Sequence, residues 1–582
     1  MGVKGLWCYV EHHHIQYAYP NKSTRADCYA VNPRHLLIDM NAVLHVAYDP
    51  RTPTTAATLR AVAAKLDELL TRVRSHDTLA LVYDGVAPIA KLKTQKERRD
   101  CLSVHPPRPA TAATSRSNGN SSIRVSPWYT CDPVVSEVPL HREEILCGAE
   151  FVLACEEYIT AYMQRRKAQS SWRTLIVSGC RDPGEGEVKI SAVLRRLWAT
   201  TVADGSYRPD DTVTIVGNDS DLILVAMVAV PYTYYTLIDP YDLGLTSLSE
   251  LMDHWSQAVP HPPLPAELLP SYRIDFVFLM LLSGDDYYEG IGSDSVALWR
   301  RYRHLRANEG YFRRALVSGE SLELDAEFLR AVLARCGSMA AHLSRVPRNK
   351  RKTAKALLRG GGGGGNVKEG TQLLAAAMWS LRGYVFGHCC DYGFLARQAG
   401  PPSMGSLRAA AQAPGLSRKI GTAAAEMVAK REMTDAGKAE EATRPADPIL
   451  APLEQCIAVL GIRGRFSLEL SRAIRASTKD DGYTLTRSTS AGLLTETVKG
   501  IMASLDPTLL TEAERRLSLH QHADAEDEDI GAFMRLAAIR SQKANSAAAE
   551  EAKRRREAEQ LLHTRTTESD REDAEDADAT SG

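Results

Sequence analysis

Short apolar runs and longer periodic segments alternate over roughly the first 300 residues. Residues 36–38, 79–83, 175–177 and 213–216 are dominated by Leu, Ile and Val, and each run is soon closed by a carboxylate or a glycine. Between them, 56–73 and 151–165 repeat apolar residues at helical spacing. Strands and helices that alternate in this way imply a parallel sheet with helices packed on it. Ligands of such sheets gather at the carboxyl ends of the strands. Asp39, Asp84, Asp219 and Asp221 all sit at or just beyond such ends. After about residue 300 the pattern becomes mainly helical. The expected fold class is α/β, a parallel-sheet core followed by a mainly helical second region.

Breaks in the pattern set the expected boundaries at 1–300 for the core, 301–520 for the helical region and 521–582 for a tail. Residues 104–140 are rich in Ser, Pro and Asn and read as a surface loop. Two stretches of the helical region read as insertions or linkers. One, about 345–370, holds the basic residues 348–352 and then glycines 360–365. The other, about 414–447, is rich in Ala, Lys and Glu. The tail ends in DREDAEDADATSG and reads as disordered, with a helical stretch near 547–562 and a capacity for protein partners. There is no internal repeat.

Composition narrows the class further. The chain is 44% hydrophobic and 25% charged, ordinary for a globular protein. Its net charge of −1 gives no global attraction to nucleic acid, so any such site must be a local basic patch. The 11 cysteines form no CxxC pair and no zinc spacing, and read as free thiols. No apolar run approaches the ~18 residues of a membrane span; the longest, 276–282, is far shorter. The start, MGVKGL, lacks a signal-peptide core, and Leu6 stands where a myristoylation motif needs Ser or Thr.

Seven acids stand out by their settings: Asp39 in LLIDMN, Asp84 in LALVYDG, Glu185 and Glu187 in PGEGEVKI, Asp219 and Asp221 in GNDSDL, and Asp286 in SGDDYYEGIG. Any one of them could be a helix cap. Gathered together they would repel, unless cations lie between them. Mg²⁺ takes hard oxygen ligands. Two such ions about 4 Å apart can stabilise both the attacking and the leaving oxygen of a phosphodiester displacement. After Asp84 come Lys91, Gln95, Arg98 and Arg99, spaced i, i+4, i+7 and i+8 on one helical face. That face is either a solvated basic surface or a fork-rich anion site suited to a terminal phosphate.

The segments DMNAVLH, DGVAPIAKLKTQKERR, PGEGEVKI, GNDSDL and DFVFLMLLSGDD, in this order, resemble the Xrn family of 5′→3′ exoribonucleases. The initial MGV is similar too, and implies that little or nothing precedes the folded domain. The resemblance is specific over about 1–300. It is faint beyond, in LLAAAMWSLRGYVFGHCCDYGF, APLEQCIAVL and LTEAERR. It implies a nuclease core of the flap-nuclease/Xrn type with all seven acids as the set that holds two Mg²⁺ ions, with Mn²⁺ as a substitute. It implies that Lys91, Gln95, Arg98 and Arg99 bind a 5′-monophosphate. It assigns base stacking to His45, otherwise a core or capping histidine. The family's partner is a tryptophan in the second region; here the candidate is Tyr392. The implied activity is hydrolysis of single-stranded, 5′-monophosphorylated RNA to mononucleotides, in mRNA decay or RNA processing.

Two other readings stay open. GDDYYEGIGSDSVALW looks like the duplex-gripping segment of flap-type DNA nucleases, which share the metal site. A nuclease-fold RNA-binding scaffold without activity is the other, although such proteins usually lose metal carboxylates. The basic runs 348–352 and 553–556 leave nucleus and cytoplasm both open, and oligomeric state is not legible.

Overall fold

The structure is a computed structural model. It describes four of the first ten residues (Val3, Leu6, Trp7 and Val10) and, apart from short gaps, 32–104, 138–248, 268–334, 365–427, 450–477 and 491–520. The glycines at 360–364, the basic runs at 348–352 and 553–556, most of the expected surface loop, and the tail with its helical stretch lie outside the described residues.

The four apolar runs are strands: β1 (His35–Asp39), β2 (Thr78–Val82), β3 (Thr174–Ser178) and β4 (Thr212–Val216). The periodic segments are helices α2 (Thr55–Arg72) and α4 (Glu150–Lys167). The shorter α1 (Met40–Ala47) follows β1, and α3 (Ile89–Val104) follows β2. Helix α5 (Gly186–Ala203) links β3 to β4, and α6 (Asp221–Val228) leads from β4 to β5 (Tyr234–Ile238). The three-residue β6 (Leu245–Ser247) was not expected from the sequence, nor was β5. The sheet order is β3-β2-β1-β4-β5-β6. All pairings are parallel except β5 with β6. From β1 the chain winds outward to β3 and then returns to β4. The order therefore reverses between β1 and β4, the place where open sheets leave a ligand crevice.

Side chains of a strand alternate between the two faces, and the sheet accordingly feeds two cores. Leu37, Ala80, Val82 and Ile215 join one; Leu36, Ile38, Leu79 and Leu81 join the other. The first core is closed by α5, α6, α7 (Leu269–Leu281), α8 (Asp294–Asn308), α9 (Ala326–Ala334), α10 (Val367–Phe386), α11 (Met404–Gln412) and α12 (Leu416–Met427). The second is closed by α2 to α4 with α13 (Pro452–Leu460), α14 (Leu468–Ser477) and α15 (Ala491–Ala503), while the short α16 (Glu512–Leu517) lies on α4. The apolar run at 276–282 is the buried end of α7 and not a surface element. Among the described residues no helix is long and apolar enough to cross a membrane.

The two halves of the second region thus cover opposite faces of the sheet. The change of pattern near residue 300 marks a change of element type and no gap in packing. The stretch expected as a linker from 414 begins instead with α12, which buries Leu416, Ala423 and Met427 beside α10. Of its alanines Ala423 is buried and Ala425 exposed, a one-sided packing that composition alone could not distinguish from a loose tract, and 428–447 lies outside the described residues. Similarly, the described end of the other stretch, 365–370, is packed: Gly365 and Gly370 lie so close to the 405–406 backbone that a Cβ at either would overlap it.

Candidate active site

The acids arrive at one place because three βα units deliver them. Asp39 ends β1 and caps α1, its Oδ1 accepting the amides of Asn41 (3.0 Å) and Ala42 (3.3 Å). Asp84 lies just beyond β2, and its Oδ1 accepts the amide of Gly186, the first residue of α5, at 2.7 Å. A Cβ at Gly186 would stand 3.0 Å from that same oxygen, so any larger residue would press on Asp84. Asp219 follows β4, and its Oδ1 accepts the Asp221 amide at 3.3 Å. The N-termini of α1, α5 and α6 therefore all aim backbone N–H groups at the acids, which offsets part of their repulsion.

Asp39, Asp84, Glu185, Glu187, Asp219 and Asp286 line one cleft, with a volume of about 760 Å³. Lys91, Gln95, Arg98 and Arg99 line it as well, and so does His45. The expected basic face of α3 is thus turned toward the acids and not toward bulk solvent. Lys91 Nζ stands 2.8 Å from Glu185 Oε1 and 2.9 Å from Asp286 Oδ2, and Arg98 Nη2 lies 2.6 Å from Asp286 Oδ1. Gln95 is buried and its amide oxygen meets Gln455 Nε2 of α13 at 3.4 Å; Gln455 also accepts the Ala87 amide at 2.8 Å. Arg99 donates to the Ile145 carbonyl at 3.1 Å.

Electrostatics follow this crowding. Burial, reinforced by Asp84 and Asp219, pushes the Asp39 carboxyl up to about 8. Burial and then Glu185 raise Glu187 well above the usual range. Asp286 goes the other way. Burial raises it, but Lys91 and Arg98 together outweigh that and hold it below the usual carboxylate range. Burial, with Arg98 beside it, brings Arg99 down to about 10. Burial near Arg99 and Arg142 lowers His45 to about 4, so its ring is neutral at pH 7.

Two expected site residues are not on the cleft. Asp221 is 2% exposed, and its Oδ1 accepts the Val3 amide at 2.7 Å. Tyr392 is 4% exposed, and its ring is buried beside the Gly184 turn. Its carbonyl accepts the Ile89 amide at 2.9 Å, so it braces the start of α3. Burial removes it as a stacking partner for His45. Three contributors had not been singled out. Asn41 donates from Nδ2 to Asp84 Oδ2 (2.5 Å) and accepts the Asp84 amide (3.2 Å); its place beside Asp39 in LLIDMN was the available signal. Lys189, buried, ties the carbonyls of Tyr83 (2.7 Å) and Gly179 (2.6 Å) across the ends of β2 and β3, and it stands within PGEGEVKI. Arg142 lines the cleft from a short 3₁₀ turn with no local pattern to mark it.

The sheet and its acid-lined crevice define a doubly wound α/β core with its site at the reversal of strand order. The family described as XRN 5′-3′ exonuclease N-terminus matches residues 1–238. Three relatives are each named 5′-3′ exoribonuclease 2. The Arabidopsis thaliana protein is 27% identical over 203 residues, covering 33% of this chain and 19% of the relative. The Saccharomyces cerevisiae protein is 29% identical over 218 residues (34% and 20%). The Gallus gallus protein is 26% identical over 276 residues (44% and 28%). Residues 1–238 are thus similar to the Xrn exonuclease N-terminus, at modest identity to these relatives. The aligned part spans only about a fifth to a quarter of these relatives' length.

Proposed function

We propose that this chain is a 5′→3′ exoribonuclease that hydrolyses single-stranded RNA bearing a 5′-monophosphate and releases mononucleotides. The observation that carries the reading is the joining, in one cleft, of an acid cluster with the cationic face of α3. Neither half alone specifies direction; side by side they support a terminal-phosphate site next to a phosphodiester-cleaving one.

The donor set fits divalent metal. Its members are hard oxygens, and burial, joined at Asp39, Glu185 and Glu187 by neighbouring acids, holds these three and Asp84 at raised pKa, a strain that a cation relieves. Among the described residues no three acids close a ready-made cage. That suits Mg²⁺, which keeps several waters and takes few protein ligands directly. Asp39, Asp84, Glu185, Glu187 and Asp219 would hold the ions, with Asp221 and Asp286 beside them. Mg²⁺, or Mn²⁺ in its place, supplies Lewis-acid stabilisation of the attacking and leaving oxygens.

The side chains do the rest. Arg98 spends Nη2 on Asp286 and keeps Nε and Nη1 for a phosphate oxygen. Lys91 and Arg99 add charge, and Gln95, backed by Gln455, stops the end of the pocket against a cap or triphosphate. Holding the terminal phosphate sets the register that lays the first phosphodiester over the acids.

His45, with a neutral ring and its Nδ1 buried without a hydrogen-bond partner, offers a face for a base. His45→Ala should slow degradation by about 1–3 kcal/mol of lost stacking, without altering end preference. An unchanged rate on single-stranded RNA would make His45 a packing residue. The reading as a whole is tested on one RNA labelled at either end and carrying 5′-phosphate, 5′-hydroxyl or 5′-triphosphate. Mononucleotides should appear from the 5′ label first, with the monophosphate preferred and Mg²⁺ required. Cleavage of flap DNA in preference to RNA, or binding without cleavage, would replace the reading.

A further inference from the structure

We infer that Gln455 is a positioning residue of the terminal-phosphate pocket, fixing which end of the Gln95 amide faces the cleft. The inference rests on the monophosphate reading of the cleft and deepens it. A side-chain amide has two ends of opposite character, an oxygen that accepts and an NH₂ group that donates twice. The two ends are nearly alike in size, so packing alone does not choose between them; hydrogen bonds do. For Gln95, which is buried on α3 at the cleft wall, the choice decides whether the residue attracts or repels an anion.

The choice is made at a backbone amide. The Ala87 N–H lies 2.8 Å from Gln455 Oε1. A peptide N–H can only donate, so Gln455 must meet it with its oxygen. Gln455 Nε2 then points the other way and donates to Gln95 Oε1 at 3.4 Å. Gln95 is thereby held with its oxygen toward α13, and among the described residues its Nε2 donates to no protein group. Ala87 cannot turn to release this relay. It lies in the segment joining β2 to α3, and Ile89 and Ala90 just beyond it donate to the carbonyls of Tyr392 (2.9 Å) and Phe394 (3.1 Å). Gln455 itself is fully buried, so water does not compete for either amide. With Gln95 so turned, the face formed by Lys91, Gln95, Arg98 and Arg99 offers only donors, in place before RNA arrives. A phosphate dianion accepts from several of them at once; a 5′-hydroxyl does not.

The test is equilibrium binding of 5′-phosphorylated and 5′-hydroxyl RNA to the full chain in Ca²⁺ buffer, read as the ratio of the two affinities. Gln455→Met, similar in volume but without polar atoms, should lower that ratio by about 5-fold. Gln95→Ala should lower it by about 10-fold, and the double variant should fall no further than Gln95→Ala alone, because Gln455 acts through Gln95. Gln455→Asn is one methylene shorter; it keeps an amide for the Ala87 N–H but cannot also reach Gln95. It should lose discrimination like Gln455→Met, and it carries the test if Gln455→Met folds poorly. Losses that multiply in the double variant would show that Gln455 does not act through Gln95 and would overturn the inference. So would equal weakening of both RNAs, the mark of a merely structural role, or an unchanged ratio in either folded Gln455 variant. Absence of discrimination in the unmutated protein would overturn the monophosphate reading first, and this inference with it.

Discussion

Asp219→Ala should reduce exonuclease activity in Mg²⁺ to background while leaving the fold nearly intact. Asp219 stands past the end of β4, half-exposed on the cleft, and accepts the neighbouring Asp221 amide. Its loss removes an oxygen donor from the most crowded part of the acid cluster. Metal stabilisation of a phosphodiester transition state is worth several kcal/mol, so a fall of about three orders of magnitude is the expected scale. A second change in the same cluster, such as Asp39→Ala, should add little, because residues that act as a unit do not contribute independently. The measurement is turnover of 5′-phosphorylated RNA at saturating Mg²⁺, with thermal unfolding as the control. Near-normal turnover would remove the acids from the chemistry.

Arg98→Ala should separate the two RNA ends. Charge-assisted hydrogen bonds are each worth about 1.5–3 kcal/mol, so kcat/KM on 5′-monophosphate RNA should fall by roughly 10- to 100-fold. On 5′-hydroxyl RNA the loss should be much smaller, because that substrate never used the contact. The difference between the two losses is the informative quantity, since a folding defect lowers both alike. Equal losses would show that Arg98 serves the RNA backbone generally or only pairs with Asp286.

Much of this site was legible from local spacing. β1 to β4 stood out because each is a short apolar run stopped by an acid or a glycine. β5 did not, although Asp239 closes it at once, because its tyrosines and threonine leave only Leu237 and Ile238 as an aliphatic run, and three-residue β6 is set by its antiparallel partner alone. The face of α3 was legible because Lys91, Gln95, Arg98 and Arg99 obey helical spacing; that it faces acids and not solvent is a tertiary fact. The two i, i+2 acid pairs looked equivalent and are not. Glu185 and Glu187 occupy the cap and second position of α5, whereas Asp219 precedes the cap of α6 and Asp221 is its first residue. A one-residue offset turns a side chain by about 100° around a helix axis. Glu187 therefore reaches the cleft while Asp221 turns inward to the Val3 amide. Tyr392 failed for a related reason: an aromatic near a motif can as well pack under it.

Gln455 carries a consequence for how the molecule is made. It is buried between Gln95 and the Ala87 amide, reaching back across more than 350 residues to brace the start of α3. Contacts so distant along a chain are closed late, after the intervening segments have collapsed. A nascent chain would already contain every acid of the cleft and its basic helix by residue 286, yet the cleft would lack a back wall until α13 had emerged and docked. Completion of the cleft is thereby timed to the synthesis of the distal helices.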